Sequence, residues 1–253
     1  FAPLPLQDGF DNAGLQIGLT EVEATGALLC LDVTEAVLDE AIALGHNLVI
    51  SHHPLIFKGY KSITGKDYVE RCILKAIKND IVIYSAHTNL DNAYGGVNYK
   101  IAEKIGLKNL QVLEPKENSL QDDLMQAGAG IVGELDEPET ELEFLKRIKK
   151  TFEVGCVRHN RLTGREIQKV ALCGGAGAFL LPQAIRAGAD VFITGEIKYH
   201  DYFGHEGDIL MAEIGHYESE QYTKEIFYSI IRDLFPNFAL QSSKINTNPI
   251  KYL

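Results

Sequence analysis

The chain has 253 residues, enough for one large or two small α/β domains. Its net charge of -11 argues against general nucleic-acid binding, which needs a basic face to neutralise phosphates, and against an anionic membrane surface. No apolar run approaches the roughly 20 residues of a membrane span, and no signal-peptide pattern opens the chain.

The chain opens on Phe1 rather than Met, as expected where a natural start lies upstream. Cys30, Cys72, Cys156 and Cys173 form no C-x-x-C pair, and Cys30 and Cys173 lie inside apolar strand-like runs, where cysteine acts as a small hydrophobe. All four read as reduced thiols of a cytoplasmic protein, so a metal site is expected to use histidine and carboxylate rather than thiolate.

In chain order, Asp11-Asn12-Ala13-Gly14 reads as a turn before the apolar strand at Gly26 to Cys30. A helix is expected from Thr34, a good N-cap, to Gly45, a good C′ residue. The run Leu48 to Ser51 is a buried strand that ends in His52, His53 and Pro54, where proline stops the ladder. A helix over Asp67 to Lys78 leads to the strand Ile81 to Ala86 and to His87, and a further helix is expected near Val97 to Ile105. The most linker-like stretch, Glu114 to Asp123, separates units 1–118 and 119–253. Beyond it come the glycine-rich run Gly128 to Gly133, a helix from about Glu139 to Phe152, and strands at Val170 to Cys173 and Val191 to Thr194. A helix over Lys198 to His205, a strand through Asp208 to Ile214 and a helix from Glu218 to Leu234 complete the pattern.

The second half repeats the first at an offset of 143: Gly26 to Cys30 aligns with Lys169 to Cys173, and Leu38, Ala41, Ile42, Gly45 and Ile50 match Leu181, Ala184, Ile185, Gly188 and Ile193. Strands alternating with helices imply right-handed crossovers and mostly parallel sheet. The fold class is α/β, with two duplicated α/β units in a layered sandwich and a composite site at the carboxyl ends of the strands.

Polar residues break the repeat. His52 and His53 correspond to Gly195 and Glu196, as expected if both copies build one site. Four strand ends carry candidate groups: His52 and His53; His87 and Asp91; Glu196 and His200; His216 and Glu220, the last pair four apart on a helix start. A histidine pair alone also fits a plain turn with one exposed and one buried ring. Together with the His-x-x-x-Asp and His-x-x-x-Glu strand ends it points to metal, and nitrogen and carboxylate donors suit zinc, iron, manganese or nickel. With this many donors, two divalent ions fit better than one. The segment Gly174 to Ala178, between a strand and a helix, fits a phosphate cradle or a plain tight turn, and Leu180 breaks the dinucleotide-binding glycine pattern.

These motifs together resemble the Nif-three-like family of dinuclear-metal proteins, often labelled GTP cyclohydrolase I type 2 homologues. The resemblance rests on Asp11-Asn12-Ala13-Gly14-Leu15-Gln16-Ile17-Gly18, Ser51-His52-His53-Pro54, His87-Thr88-Asn89-Leu90-Asp91, Thr194-Gly195-Glu196 with His200, and Gly215-His216-Tyr217-Glu218-Ser219-Glu220, and spans nearly the whole chain. It implies a two-metal site of His52, His53, Asp91, His216 and Glu220. Glu220 bridges, one ion lies near His52 and Asp91, and the other near His53 and His216. It also implies a homo-oligomer, a toroidal hexamer with the sites facing an internal cavity. The family's tryptophan before Asp-Asn is Phe10 here, and where many relatives insert a ferredoxin-like domain between the halves only the short linker around Ser119 stands, the insert being either absent or omitted from this chain.

Two functional readings follow. In the first the protein is a metal-dependent hydrolase of a nucleotide-like or phosphoester small molecule, with His87, Glu196 or His200 moving protons. In the second it is a non-enzymatic metal-handling or regulatory protein. A third, a metal-free nucleotide module built on the Gly174 turn, is disfavoured by the metal motifs.

Overall fold

The computed structural model describes residues 1–116 and 127–253. The chain runs β1 (Gly14–Ile17), β2 (Ala27–Cys30), α1 (Glu35–Leu44), β3 (Leu48–Ser51), α2 (Tyr68–Lys78), β4 (Val82–Ser85), α3 (Thr88–Asp91), α4 (Val97–Ile105), β5 (Lys108–Pro115) and β6 (Gly128–Thr140). It continues with α5 (Glu141–Thr151), β7 (Arg158–His159), β8 (Glu166–Cys173), α6 (Leu181–Arg186), β9 (Val191–Thr194), β10 (Leu210–Glu213), α7 (His216–Glu220), α8 (Thr223–Leu234) and β11 (Leu240–Ser242). The fold is mixed α/β, as the alternating pattern predicts.

Two compact units result: Phe1–Leu90 with Thr223–Pro249, and Asp91–Tyr222 with Ile250–Leu253. They differ from the sequence halves 1–118 and 119–253. The reason is pairing: β5 lies antiparallel against β6, while β11 returns to pair with β2. Of the expected linker, Glu114 and Pro115 end β5, and residues 117–126 lie outside the described residues.

The first unit holds a sheet of order β1-β4-β3-β2-β11, parallel except for β1 against β4. β2 is buried along its whole length, which is why it reads as an unbroken apolar run. Thr34 Oγ1 accepts from Val37 N and Gly45 adopts φ 68°, so α1 begins and ends where its caps predict. Val37, Leu38 and Ala41 of α1 join Cys72 and Ala76 of α2 in the core against Leu28, Val49 and Ile83.

The second unit holds a sheet of order β5-β6-β8-β9-β10-β7. Its centre, β8-β9-β10, is parallel, and the flanking strands are antiparallel. The duplication is visible in register. Cys30 pairs with Ser51 and Cys173 with Thr194, so the offset of 143 carries through both strands of each pair.

Two expected helices differ. Lys198 to His205 holds only a 3₁₀ turn at Tyr199–Tyr202, because Lys198 supplies no side-chain cap and Gly204, at φ 82°, interrupts the chain just beyond. The helix expected from Glu218 begins at His216 and is broken into α7 and α8.

The loop after His53 is fastened by one carboxylate. Glu70 Oε2, buried on α2, accepts from Thr64 N at 2.8 Å, Thr64 Oγ1 at 3.0 Å and Lys66 N at 3.1 Å. The Thr64 amide foremost, against the penalty of burial, holds Glu70 down at about 2. A folded-state value below the unfolded one stabilises above the unfolded carboxylate range and is lost as pH falls toward 2. Glu70→Gln should therefore lower the melting temperature near neutral pH. The gap from wild type should close as acid titrates the wild-type carboxyl, which melting curves at several pH values measure.

Candidate metal centre

In the first unit, parallel pairing brings three imidazoles together. His52 N donates to Cys30 O at 3.2 Å and His53 N to Leu31 O at 3.0 Å, so the β2–β3 ladder extends past the strand ends. The chain then bends, and the two rings sit with centroids 4.9 Å apart. His87 follows β4, the neighbour of β3, with its ring 5.2 Å from His52 and 5.5 Å from His53. The hydroxyls of Ser51 and Ser85, paired in register, hydrogen-bond at 2.8 Å and hold the two strand ends together.

Each ring is oriented through Nδ1. His52 Nδ1 lies 2.9 Å from Ala86 O, His53 Nδ1 is 2.7 Å from Asp32 Oδ1, and His87 Nδ1 is 2.8 Å from Asp11 Oδ1. A carbonyl only accepts, so His52 carries its proton on Nδ1 and presents the lone pair of Nε2. One nitrogen from each ring lies within 4.8 Å of the others.

The supporting carboxylates are themselves held. Burial pushes the Asp11 carboxyl up, but hydrogen bonds from His87 and then Thr88 outweigh it and hold the group well below the usual carboxylate range. Thr88 Oγ1 donates to Asp11 Oδ2 at 2.5 Å. Asp32 accepts from Thr247 Oγ1 in the tail beyond β11. That tail is fastened by Ser243 N to Leu29 O at 2.7 Å and by Ser243 Oγ to Glu40 of α1 at 2.5 Å.

The second unit gathers Asp91, His216 and Glu220. His216 and Glu220, four apart on α7, approach to 3.1 Å between Nε2 and Oε2. A carboxylate oxygen of Asp91 also lies within 4.8 Å of one on Glu220. His216 Nδ1 is 2.8 Å from Glu196 Oε1, the same arrangement as in the first unit. Buried Asn98 on α4 donates to Asp91 O at 3.0 Å and accepts from Gly174 N at 2.9 Å, tying the end of α3 to the glycine turn after β8.

The three imidazoles form a group that could hold a metal ion, and in the second unit Glu220 lies within ligand distance of both His216 and Asp91. Imidazole nitrogen and carboxylate oxygen suit a first-row divalent ion, and a carboxylate or carbonyl acceptor at Nδ1 is the usual outer support of a metal-bound histidine. The donor set therefore fits the expected metal.

His52, His53 and His87 meet in one unit, and Asp91, Glu196, His216 and Glu220 meet in the other. His200 is not in the groups that could hold a metal ion among the described residues: it is exposed on the 3₁₀ turn, its ring against Tyr199 at 5.2 Å and Phe203 at 6.2 Å. Glu196, expected among proton carriers, is engaged at His216 Nδ1. Sequence reading gave no role to Asp11, Asp32, Asn98, Ser219 or Thr247. Asp11 and Ser219 fall inside the motifs already singled out, and Asp32 stands just past a strand end; Asn98 and Thr247 carry no local signal.

Strand-end imidazoles and carboxylates on a largely parallel α/β frame form the kind of site that could hold a metal ion. The chain matches the family described as Duf34/NIF3 (NGG1p interacting factor 3) over residues 1–249 and belongs to it. A relative from Clostridium perfringens named "GTP cyclohydrolase 1 type 2 homolog" is 39% identical over 222 residues, 87% of this chain and 82% of that one. A relative of the same name from Lactococcus lactis is 34% identical, covering 98% of this chain and 94% of that one. The crystal structure of Staphylococcus aureus hypothetical protein SA1388 superposes with a TM-score of 0.91 at 33% identity, covering 100% of this chain and 95% of that one. A Staphylococcus aureus relative aligns over 354 positions against 253 residues here, so it carries residues with no counterpart in this chain. Among the described residues no helix is long and apolar enough to cross a membrane.

Removing an outer support should weaken metal binding without unfolding the protein. Asp32→Ala and Glu196→Gln should each lower affinity for a divalent ion about 10–100-fold. Titration calorimetry with zinc or manganese measures it, and unchanged affinity in both would remove the supporting role.

Proposed function

We propose that the two clusters act as one dinuclear centre held by His52, His53, Asp91, His216 and Glu220, and that the protein is a metal-dependent hydrolase of a nucleotide-like or phosphoester small molecule. The observation that carries the reading is the shared state of His52, His53 and His216, whose Nδ1 atoms are each engaged by an oxygen acceptor. Asp91 and Glu220 would add anionic oxygen donors, and Glu220, close to both Asp91 and His216, would be the shared ligand that the resemblance implies. Bound divalent ions would polarise a substrate oxygen and bring the acidity of water toward neutral pH.

The protein's own groups divide the remaining work. His87 faces the other two imidazoles of its unit, and Asp11 holds its Nδ1, the relation of a general base to its orienting carboxylate. It is the proton carrier. Glu196 sets the ring of His216, and exposed His200 is the lesser candidate for proton transfer. The name carried by the curated relatives favours a nucleotide-like substrate. The hexamer implied by the resemblance belongs to the same proposal, and light scattering should return the mass of six 28.0 kDa chains.

Metal analysis coupled to an activity screen tests the reading. Fully metallated wild type should hold two ions per chain and turn over a nucleotide or phosphoester. Asp91→Ala and Glu220→Ala should each hold well below two. His87→Ala should keep the metal yet lose turnover by about 10²-fold. Full occupancy in both carboxylate variants would sink the ligand set. No turnover by protein shown to hold two ions would replace hydrolysis by metal handling.

A further inference from the structure

The glycine-rich turn Gly174–Gly175 lies between β8 and the 3₁₀ turn Gly177–Leu180, the place at which a phosphate cradle is ordinarily sought. Its amides are already committed. Gly174 N donates to Asn98 Oδ1 at 2.9 Å, Gly175 N to Ser219 Oγ at 3.0 Å and Gly177 N to Thr194 Oγ1 at 3.0 Å. Gly175 O accepts from Glu196 N and from Thr194 Oγ1, both at 3.1 Å. An anion would have to displace a protein acceptor from each of these three amides.

What the turn does instead is written in its clearances. Gly175 has φ +59°, and a Cβ there would stand 2.3 Å from Glu220 Oε1 and 3.4 Å from His216 Cε1. A Cβ on Gly195 would stand 2.6 Å from Gly175 O and 2.9 Å from His216 Cα. The main chain of β8 and β9 thus approaches α7 more closely than any side chain allows. The same turn fixes Glu196, whose carboxylate orients His216, through the Glu196 N to Gly175 O bond.

We propose that Gly175 is a positioning residue for the metal centre: its missing side chain is the space that sets the Glu220 carboxylate, and its backbone clamps Ser219 and Glu196 on either side of His216. This rests on the reading of Glu220 as a ligand. The obstacle to a methyl at Gly175 is the far end of the Glu220 side chain rather than main chain, so Gly175→Ala should move the carboxylate and leave the fold intact. At Gly195 the obstacle is backbone, which cannot move aside.

The test compares purified full-length variants by zinc affinity and by the visible absorption of the cobalt-substituted protein, which reports ligand geometry. Gly175→Ala should lose about 10–100-fold in zinc affinity and shift the cobalt bands. Gly188→Ala is the control, because Gly188 has φ +69° with nothing within 4 Å of its Cβ position, so it adds the same backbone strain without the clash. It should bind zinc as wild type does. Ser219→Ala, which loosens the clamp without adding atoms, should weaken zinc in the same direction and decides the matter if Gly175→Ala does not fold. Wild-type affinity and cobalt spectrum in Gly175→Ala, or in Ser219→Ala if that variant stands alone, while Glu220→Ala loses metal, would overturn the role of the turn and leave the metal site standing. Full metal retention in Glu220→Ala would overturn both.

Discussion

The hydrogen bond at histidine Nδ1 is the constraint on which the rest of the site depends. A neutral imidazole has one donor and one acceptor nitrogen, and an oxygen acceptor at Nδ1 settles which is which. Four rings are settled this way, by acceptors drawn from four places: the turn before β1 for His87, the end of β2 for His53, the residue after β4 for His52 and the end of β9 for His216. No single segment could supply these partners. In the first unit the rings meet because the neighbouring parallel strands β3 and β4 release their carboxyl ends side by side, the property that makes this edge of an α/β sheet chemically useful.

The duplication shows which features the fold needs and which the chemistry needs. Register persists: Ser51 and Thr194 occupy equivalent places, and each uses its hydroxyl to brace a strand end, Ser51 on Ser85 and on the His53 carbonyl, Thr194 on the Gly175 carbonyl. Just beyond, the copies part. His52 has a buried side chain in the first unit, while its counterpart Gly195 has no room for one because α7 lies against it. The second copy therefore carries its imidazole and carboxylate, His216 and Glu220, on that helix rather than at the strand end. A two-fold repeat in this way carries unlike polar groups on a shared frame.

Much of this was legible in the sequence, and the reasons are local. α1 begins and ends at Thr34 and Gly45 because a hydroxyl cap and an αL glycine act on neighbouring residues. The histidine pair and the spacing of His216 and Glu220 were visible because one strand end or one helical turn holds them. The outer supports were not. Asp11 reaches His87 across 76 residues and Thr247 reaches Asp32 across 215, and nothing short-range marks such pairs. The helix expected over Lys198 to His205 is only a 3₁₀ turn at Tyr199–Tyr202, since so short a segment without a side-chain cap does not sustain one. The unit boundary follows strand pairing between distant segments, which no linker composition reveals.

That long reach also accounts for the path of the chain's last segment. β11 adds a parallel strand beside β2, and the tail beyond it runs on past Glu40 to Asp32. Without this return, β2 would be a buried apolar edge with open backbone groups, and the carboxylate that turns His53 would lose its hydroxyl donor. One strand thus closes the sheet and completes the outer support of an imidazole at the opposite end of the sequence. The folding of the first unit and the setting of its histidine cluster are therefore coupled through residues that, read in order, are the furthest apart.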